Sequence, residues 1–113
     1  TNDYLAACAE AVLNETSLIP HLNPGCLTAD EITKLKPLSG SMGLMVESLS
    51  SRLNEKGQPH YGSPDKDPIF RMKTLEEAGK QKVPFTTGIL IGIGETRLER
   101  LESLHKIAEL HLT

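Results

Sequence analysis

The sequence is poor in the residues on which several functional classes depend. It has no Trp among its 113 residues, and aromatic residues make up only 4% of the chain, which argues against a surface that stacks nucleic-acid bases. The formal net charge is −3, so no general electrostatic attraction to nucleic acid or to an anionic membrane is expected. No apolar run approaches the roughly 20 residues of a membrane-spanning helix. We therefore expect neither a nucleic-acid nor a membrane partner.

Cysteine is also scarce. Cys8 and Cys26 lie far apart in the sequence and match no metal-binding spacing, so no metal ligands are expected in this chain. Cys8 falls in an apolar helical stretch, which favours a packing role. No basic segment followed by an apolar one opens the chain, so no signal peptide is visible. A reduced, cytoplasmic protein is the simplest interpretation.

Apolar periodicity and turn residues predict one helix followed by three strand–helix units. Helices are expected at about 1–15, 28–38, 68–80 and 96–111, and strands at 17–25, 39–48 and 83–92. This alternation is typical of the parallel α/β class. Because an eight-stranded barrel takes about 250 residues, we expect residues 1–113 to be the central part of a larger barrel domain.

Several helix ends carry specific residues. Capping boxes are predicted at Thr28 and Thr96, each with a Glu three positions later. Asp67 followed by Pro68 is typical of a helix start. Gly79 is expected to cap the C-terminus of the same helix.

The stretch GILIGIGE, residues 88–95, looks at first like a phosphate-binding glycine turn between a strand and a helix. A dinucleotide fingerprint needs a third small residue three positions after Gly94, where this chain has Arg97. No P-loop lysine follows the turn either. Both standard phosphate interpretations therefore fail, which leaves a buried strand and its crossover helix, or a different kind of ligand site.

Polar residues follow the predicted strands, at the edge where parallel α/β proteins bind ligands. They are His21 and Asn23 at the end of the first strand, Glu47 and Ser48 at the end of the second, and the turn Gly92 to Glu95 at the end of the third. A histidine at such a place is a candidate proton shuttle. A neutral, hydrogen-bonded core histidine is the alternative.

Together these segments resemble a known family. GILIGIGE matches the G-x-I-x-G-x-x-E pattern of radical S-adenosylmethionine enzymes, with Leu90 at the Ile position. PHLNPG (20–25), MGLMVES (42–48) and HYGSPDKDP (60–68) occur in the order and spacing of one branch. The chain resembles the 7,8-didemethyl-8-hydroxy-5-deazariboflavin synthase (FO synthase) family, as the CofG subunit or the matching half of a fused enzyme.

The resemblance implies a partial TIM barrel, two cofactors and a reaction. S-adenosylmethionine would be cleaved reductively at a 4Fe–4S cluster, and hydrogen abstraction from a tyrosine-derived adduct of 5-amino-6-(ribitylamino)uracil would lead, with loss of ammonia, to the deazaflavin chromophore. A CofH-type partner subunit or fused half is implied as well. The family's CxxxCxxC motif is absent, so the cluster ligands are expected outside this chain, and the chain alone is expected to be inactive.

The resemblance also implies roles for individual residues, although it assigns no catalytic residue. The residues implied in S-adenosylmethionine binding are Glu47, Arg71, Leu90, Gly92 and Glu95; candidates for substrate binding are His21, Asn23, His60, Tyr61 and Thr87. The alternatives are a plain strand-end carboxylate for Glu47, a solvated helix arginine for Arg71, and a turn-orienting role for Glu95. Since strand residues alternate in direction, only one of Thr86 and Thr87 can face a barrel interior.

Two other functions remain open from the sequence. One is a different radical S-adenosylmethionine enzyme of the same branch, CofH-like or from the menaquinone pathway. The other is a non-catalytic α/β binding module. An upstream CxxxCxxC motif would exclude the second.

Overall fold

The secondary structure follows the predicted alternation of helices and strands. The computed structural model describes residues 2–112. Its α-helices are α1 (Asn2–Glu15), α2 (Ala29–Leu35), α3 (Pro68–Lys80) and α4 (Arg97–Leu112). Its strands are β1 (His21–Leu22), β2 (Ser41–Gly43) and β3 (Phe85–Thr86), and single 3₁₀ turns occupy Lys36–Leu38, Ser51–Asn54 and Pro64–Lys66. The strands form one parallel sheet in the order β1-β2-β3, which confirms the α/β class.

The strands are much shorter than the sequence predicts. Pro20 and Pro24 flank β1, and because proline has no backbone N–H it cannot continue a ladder. After β2, the amide of Val46 donates to the hydroxyl of Thr87 at 3.3 Å rather than to a backbone carbonyl. Parallel pairing resumes once, at the bridge between Glu47 and Ile89. Segments 41–47 and 85–89 therefore run side by side with an interrupted ladder.

The predicted helix starts are confirmed. The Thr28 hydroxyl accepts from the amide of Glu31, whose carboxylate accepts from the amide of Thr28. The same exchange joins Thr96 and Glu99 at the start of α4. Asp67 accepts from the amide of Ile69 at 3.0 Å and so caps α3. These local hydrogen bonds satisfy amides that have no partner within the helix.

The predicted C-terminal cap of α3 is wrong. The helix continues through Gly79 to Lys80, and the left-handed position falls on Lys82, with φ 55°. The amide of Val83 donates to the carbonyl of Ala78 at 2.9 Å, and that of Lys82 to the carbonyl of Gly79 at 3.0 Å. This is a Schellman arrangement in which a lysine takes the place usually held by glycine.

The helices cover one face of the sheet. The main core joins residues from α1, α2 and α3 to Leu22 of β1 and Met42 of β2, and a smaller cluster of Val46, Met72 and Leu75 packs beside α4. Cys8 is exposed, contrary to its predicted packing role, because α1 presents the small residues Ala6 and Ala9 to the core. No helix within residues 2–112 is both long enough and apolar enough to cross a membrane.

The opposite face of the sheet carries a different set of residues. His21 is in register with Ser41, and Gly43 with Thr86. Because partners in a parallel ladder point the same way and residues two apart share a face, these four residues lie on the face opposite Leu22 and Met42. The side chains of His21 and Thr86 are exposed there.

Candidate functional site

Glu47 has an unusual backbone conformation. Its φ is 66°, in the left-handed region that costs a non-glycine residue roughly 1–2 kcal/mol. Two sheet hydrogen bonds hold it there: its amide donates to the carbonyl of Gly88 at 3.1 Å, and its carbonyl accepts from the amide of Leu90 at 2.8 Å. Such strain, kept in place by its surroundings, is concentrated at functional sites.

Three basic groups surround the Glu47 carboxylate, which is only 13% exposed. Lys66 Nζ lies 2.7 Å from Oε1, and Arg71 Nη2 lies 3.9 Å from the same oxygen. His60 Nε2 lies 2.9 Å from Oε2. The structure thus brings together three of the predicted site residues, Glu47, Arg71 and His60. We call these three residues with Lys66 the Glu47 cluster.

The Glu47 cluster, together with Asn54, which borders the same small cavity as His60, contains polar atoms that lack hydrogen-bond partners. Within the part of the chain that the structure describes, these buried atoms are Glu47 Oε2, Arg71 Nε and both amide atoms of nearby Asn54. His60 Nε2 lies 2.9 Å from Glu47 Oε2 without forming a hydrogen bond to it. Buried polar groups in native proteins are nearly always paired. Their concentration here indicates a place where a polar ligand completes the bonding.

Arg71 is buried, at 7% exposure, so the alternative of a solvated helix arginine is wrong. Its Nη1 donates to the carbonyl of Met45, which holds the guanidinium above the end of the second strand. Ile69, Met72, Leu75 and Ala78 recur at helical spacing along α3, but the side chain of Ile69 is 64% exposed.

The glycine turn is closed by its own acidic residue. Gly92 and Gly94 have φ of 90° and 98°, values that favour glycine. The Glu95 carboxylate is 2% exposed and accepts from the amides of Gly92 and Ile93. The amides that could bind a phosphate therefore already donate to a carboxylate. This agrees with the absence of the third small residue and of the P-loop lysine from the sequence. Leu90, just before the turn, is 44% exposed.

His21 and Asn23 lie on the uncovered face of the sheet, away from the helices. His21 Nδ1 is 2.6 Å from Ser41 Oγ, and both His21 and Asn23 are exposed. The alternative of a core histidine is therefore wrong for His21. His21 is in register with Ser41 and the Asn23 side chain lies against Gly43, whereas Glu47 comes four residues after the end of β2, so the two residues are separate from the Glu47 cluster.

The remaining substrate candidates are placed differently from one another. His60 is buried at 6% exposure, whereas Tyr61 is 59% exposed. Thr87 faces the helices and accepts from the Val46 amide, so Thr86 is the threonine on the uncovered face. The loop of His60 also borders a small cavity of about 200 Å³, which is lined by Asn54, His60, Gly62, Ser63, Pro64 and Asp67.

Lys66, Asn54 and Ser41 are site residues that the sequence did not reveal. Lys66 lies in a 3₁₀ turn that starts at Pro64, and the only sequence feature there is the proline-rich loop itself. Asn54 ends another 3₁₀ turn. Periodicity cannot find such residues, because their positions depend on how loops fold over a strand end.

The fold and the site define an α/β protein with a parallel three-stranded sheet, next to which lies a charged cluster of buried side chains that is incompletely hydrogen-bonded. No protein-family model matches the chain. It is 54% identical over 112 residues to the FO synthase of Nocardia farcinica, across 98% of this chain and 13% of that protein. It is 50% identical over 111 residues to the 7,8-didemethyl-8-hydroxy-5-deazariboflavin synthase of Methanopyrus kandleri, across 98% of this chain and 33% of that protein.

An FO synthase of Mycobacterium tuberculosis is 53% identical over 112 residues, which are 98% of this chain and 13% of that protein. The chain thus spans between about an eighth and a third of these relatives. Along nearly its whole length it is similar to FO synthases, and the resemblance seen in PHLNPG, GILIGIGE and HYGSPDKDP is confirmed.

Proposed function

We propose that this chain is part of an FO synthase, a radical S-adenosylmethionine enzyme that forms the deazaflavin chromophore from a tyrosine-derived adduct of 5-amino-6-(ribitylamino)uracil. The observation that carries the proposal is 54% identity to an FO synthase over 98% of the chain. Because the chain spans only 13% of that relative, the barrel domain, the reaction and a CofH-type partner or fused half are proposed for the whole protein.

The Glu47 cluster fits S-adenosylmethionine. Glu47 Oε2 is free to accept from ribose hydroxyls or an ammonium group, and Arg71 Nε is free to donate to a carboxylate. A bound ligand that paired these atoms would remove the cost of leaving them buried without partners. The unpaired atoms therefore support the roles proposed for both residues.

The glycine turn fits the adenine end of the same ligand. Leu90 offers an exposed apolar side chain beside the turn, and Glu95 fixes the turn by accepting from the amides of Gly92 and Ile93. In this proposal Leu90 contacts adenine, Gly92 allows the close approach of the backbone, and Glu95 acts through the turn that it holds.

When bound, the cofactors supply the radical that abstracts hydrogen from the substrate. Within residues 2–112 no group of three or more His, Cys, Asp or Glu side chains could hold a metal ion, so the described residues do not fit a 4Fe–4S cluster and are assigned no step there. Their part is to bind, orient and shield the two organic ligands.

The test is an assay of deazaflavin formation by the enzyme that contains this chain, with its cluster reconstituted and the partner activity supplied. Glu47→Gln should reduce product formation strongly, whereas Glu76→Gln on the exposed side of α3 should leave it unchanged. Cleavage of S-adenosylmethionine without deazaflavin would favour another enzyme of the branch. Absence of S-adenosylmethionine binding would favour a non-catalytic module.

A further inference from the structure

A second group of polar side chains lies on the uncovered face of the sheet. His21 Nδ1 and Ser41 Oγ are 2.6 Å apart, and the two residues are register partners in neighbouring strands. A serine hydroxyl can both donate and accept, so it can hold the imidazole in either tautomer. In the part of the chain that the structure describes, His21 Nε2 has no hydrogen-bond partner, and it is the nitrogen left for a ligand.

Gly43 provides the space beneath this nitrogen. A Cβ atom added at Gly43 would lie 2.4 Å from Asn23 Oδ1 and 3.2 Å from His21 Nε2. The two atoms therefore converge over the backbone of Gly43, which is buried beneath them. Close approach of side chains to a backbone is one of the conditions that only glycine meets without strain.

We propose that Ser41 is a positioning residue for His21, and that Gly43 leaves the room in which His21 Nε2 and Asn23 Oδ1 hold one polar group of the substrate. The group is one that can donate and accept, such as a hydroxyl or an amine, since a neutral imidazole and an amide offer both functions. This inference rests on the proposed function, because it assigns the pair to the substrate of that reaction.

The contacts of the two groups support separate ligands. The hydrogen bond of His21 and the ion pairs of Glu47 share no residue, so the His21 pair and the Glu47 cluster are separate groups of side chains. The His21 pair is therefore assigned to a second molecule beside the cofactor. None of His21, Asn23 and Ser41 belongs to the hydrophobic core.

The first experiment removes the Ser41 hydroxyl in the complete enzyme. Ser41→Ala should lower kcat/KM for the substrate by about two- to tenfold, the loss expected for one hydrogen bond, and should leave the affinity for S-adenosylmethionine unchanged. Ser41→Thr should restore activity. Ser39→Ala, which removes a hydroxyl bonded to the Leu35 carbonyl, is the matched control. The ¹⁵N shifts of the His21 ring should change in Ser41→Ala but not in Ser39→Ala.

The second experiment fills the space at Gly43. In Gly43→Ala the new methyl group would displace the end of the flexible Asn23 side chain, so the melting temperature should change little while kcat/KM falls about tenfold or more. Gly79→Ala, whose Cβ would meet nothing within 4 Å, is the control for the substitution itself.

Unchanged His21 shifts and unchanged kcat/KM in Ser41→Ala would overturn the inference, even if Gly43→Ala proved too unstable to assay. If the unmodified enzyme forms deazaflavin while both variants behave like it, only this inference fails. If the unmodified enzyme forms none, the proposed function fails with it.

Discussion

Among single residues, Glu47 combines the most unfavourable features. It has a left-handed backbone, a mostly buried carboxylate, and two basic neighbours, Lys66 and Arg71. Removing one partner of a buried charge pair leaves the other without compensation, which is strongly destabilising. Arg71 is more deeply buried than Lys66, so a substitution of Arg71 is the sharper test of the site.

Arg71→Lys keeps the charge but loses the planar guanidinium, which can contact the Met45 carbonyl and a ligand carboxylate at once. We expect the affinity for S-adenosylmethionine in the full enzyme to fall by about tenfold, the equivalent of one charge-assisted hydrogen bond. Calorimetric titration measures it, with Arg97→Lys on the exposed start of α4 as the control. Unchanged affinity in Arg71→Lys would remove Arg71 from the cofactor site.

Among the elements, the C-terminal end of α3 predicts how two substitutions change the free energy of unfolding. Gly79 lies inside the helix, with open space where its Cβ would be, so Gly79→Ala should raise the free energy of unfolding by about 0.8–1 kcal/mol. Lys82→Gly should also stabilise, because it relieves the left-handed lysine. Urea unfolding measures both. Destabilisation by Gly79→Ala would mean that Gly79, not Lys82, is the left-handed cap.

Glu99 links helix α4 to Ser50 and Arg52, which lie in the segment after β2. Its carboxylate accepts from Arg52 Nε and Nη2 at 3.1 and 3.0 Å and from Ser50 Oγ at 2.7 Å. These contacts, first the Arg52 guanidinium and then the Thr96 amide, lower the pKa of Glu99 from 4.5 to about 2. The charged form is therefore the one that the fold stabilises.

Because this pKa is lowered on folding, its contribution to stability is complete above about pH 4.5 and is lost as pH falls toward 2. Glu99→Gln should make the unfolding free energy less dependent on pH across this range. Chemical denaturation between pH 2 and 6 measures it, with Glu102→Gln on the exposed face of α4 as the control. If the unfolding free energies of Glu99→Gln and of the unmodified protein changed with pH in parallel, Glu99 would not tether the helix.

Local features of the elements could be predicted from the sequence, and features that depend on tertiary contacts could not. The caps at Thr28, Asp67 and Thr96 were predicted correctly because each involves residues within three positions. The predicted strands are longer than the observed ones because a ladder needs backbone partners on the neighbouring strand. The Val46 amide, for example, meets the Thr87 hydroxyl in place of a backbone carbonyl. For Arg71 the sequence left both a cofactor-binding arginine and a solvated helix arginine open, because a hydrophobic stripe does not reveal a buried charge whose partners are distant in sequence.

The same distinction applies to the candidate site. Glu47 was found because it ends a predicted strand, and the role of Glu95 in orienting its turn agrees with the structure. Lys66 and Ser41 were not predicted. The folding of a loop positions Lys66, and the register between β1 and β2 positions Ser41. For the same reason the sequence favoured Thr87 as the substrate candidate, whereas Thr86 is the threonine that faces away from the helices.

At the scale of the whole molecule, the helices cover one face of the sheet, while much apolar surface of the helices themselves stays exposed. On α4, Leu98, Leu101 and Leu104 are each at least 50% exposed, and within the described residues β1 and β3 each have one unpaired edge. Exposed apolar surface and unpaired strand edges both favour association. Both surfaces support the proposal that the chain packs within a larger barrel domain.

The isolated 113-residue chain should therefore be poorly soluble or only partly folded. Light scattering after size-exclusion chromatography should show species larger than 12.3 kDa, and thermal unfolding should be broad. The double variant Leu101→Glu with Leu104→Glu should reduce this association, because it places charge in the exposed stripe. A monomer with a sharp cooperative melt would contradict the account of these surfaces.

The central claim is that Glu47 binds the cofactor, and the most direct test is the dissociation constant of S-adenosylmethionine for Glu47→Gln in the cluster-reconstituted enzyme. Loss of charge-assisted bonds should weaken binding by roughly 1.5–3 kcal/mol, or about one to two decades. Stability should fall as well, because Arg71 loses a charged neighbour at 3.9 Å. The core variant Ile32→Val supplies a destabilised control with an intact site. We predict weaker binding in Glu47→Gln alone; unchanged affinity, with stability reduced, would show that Glu47 is purely structural.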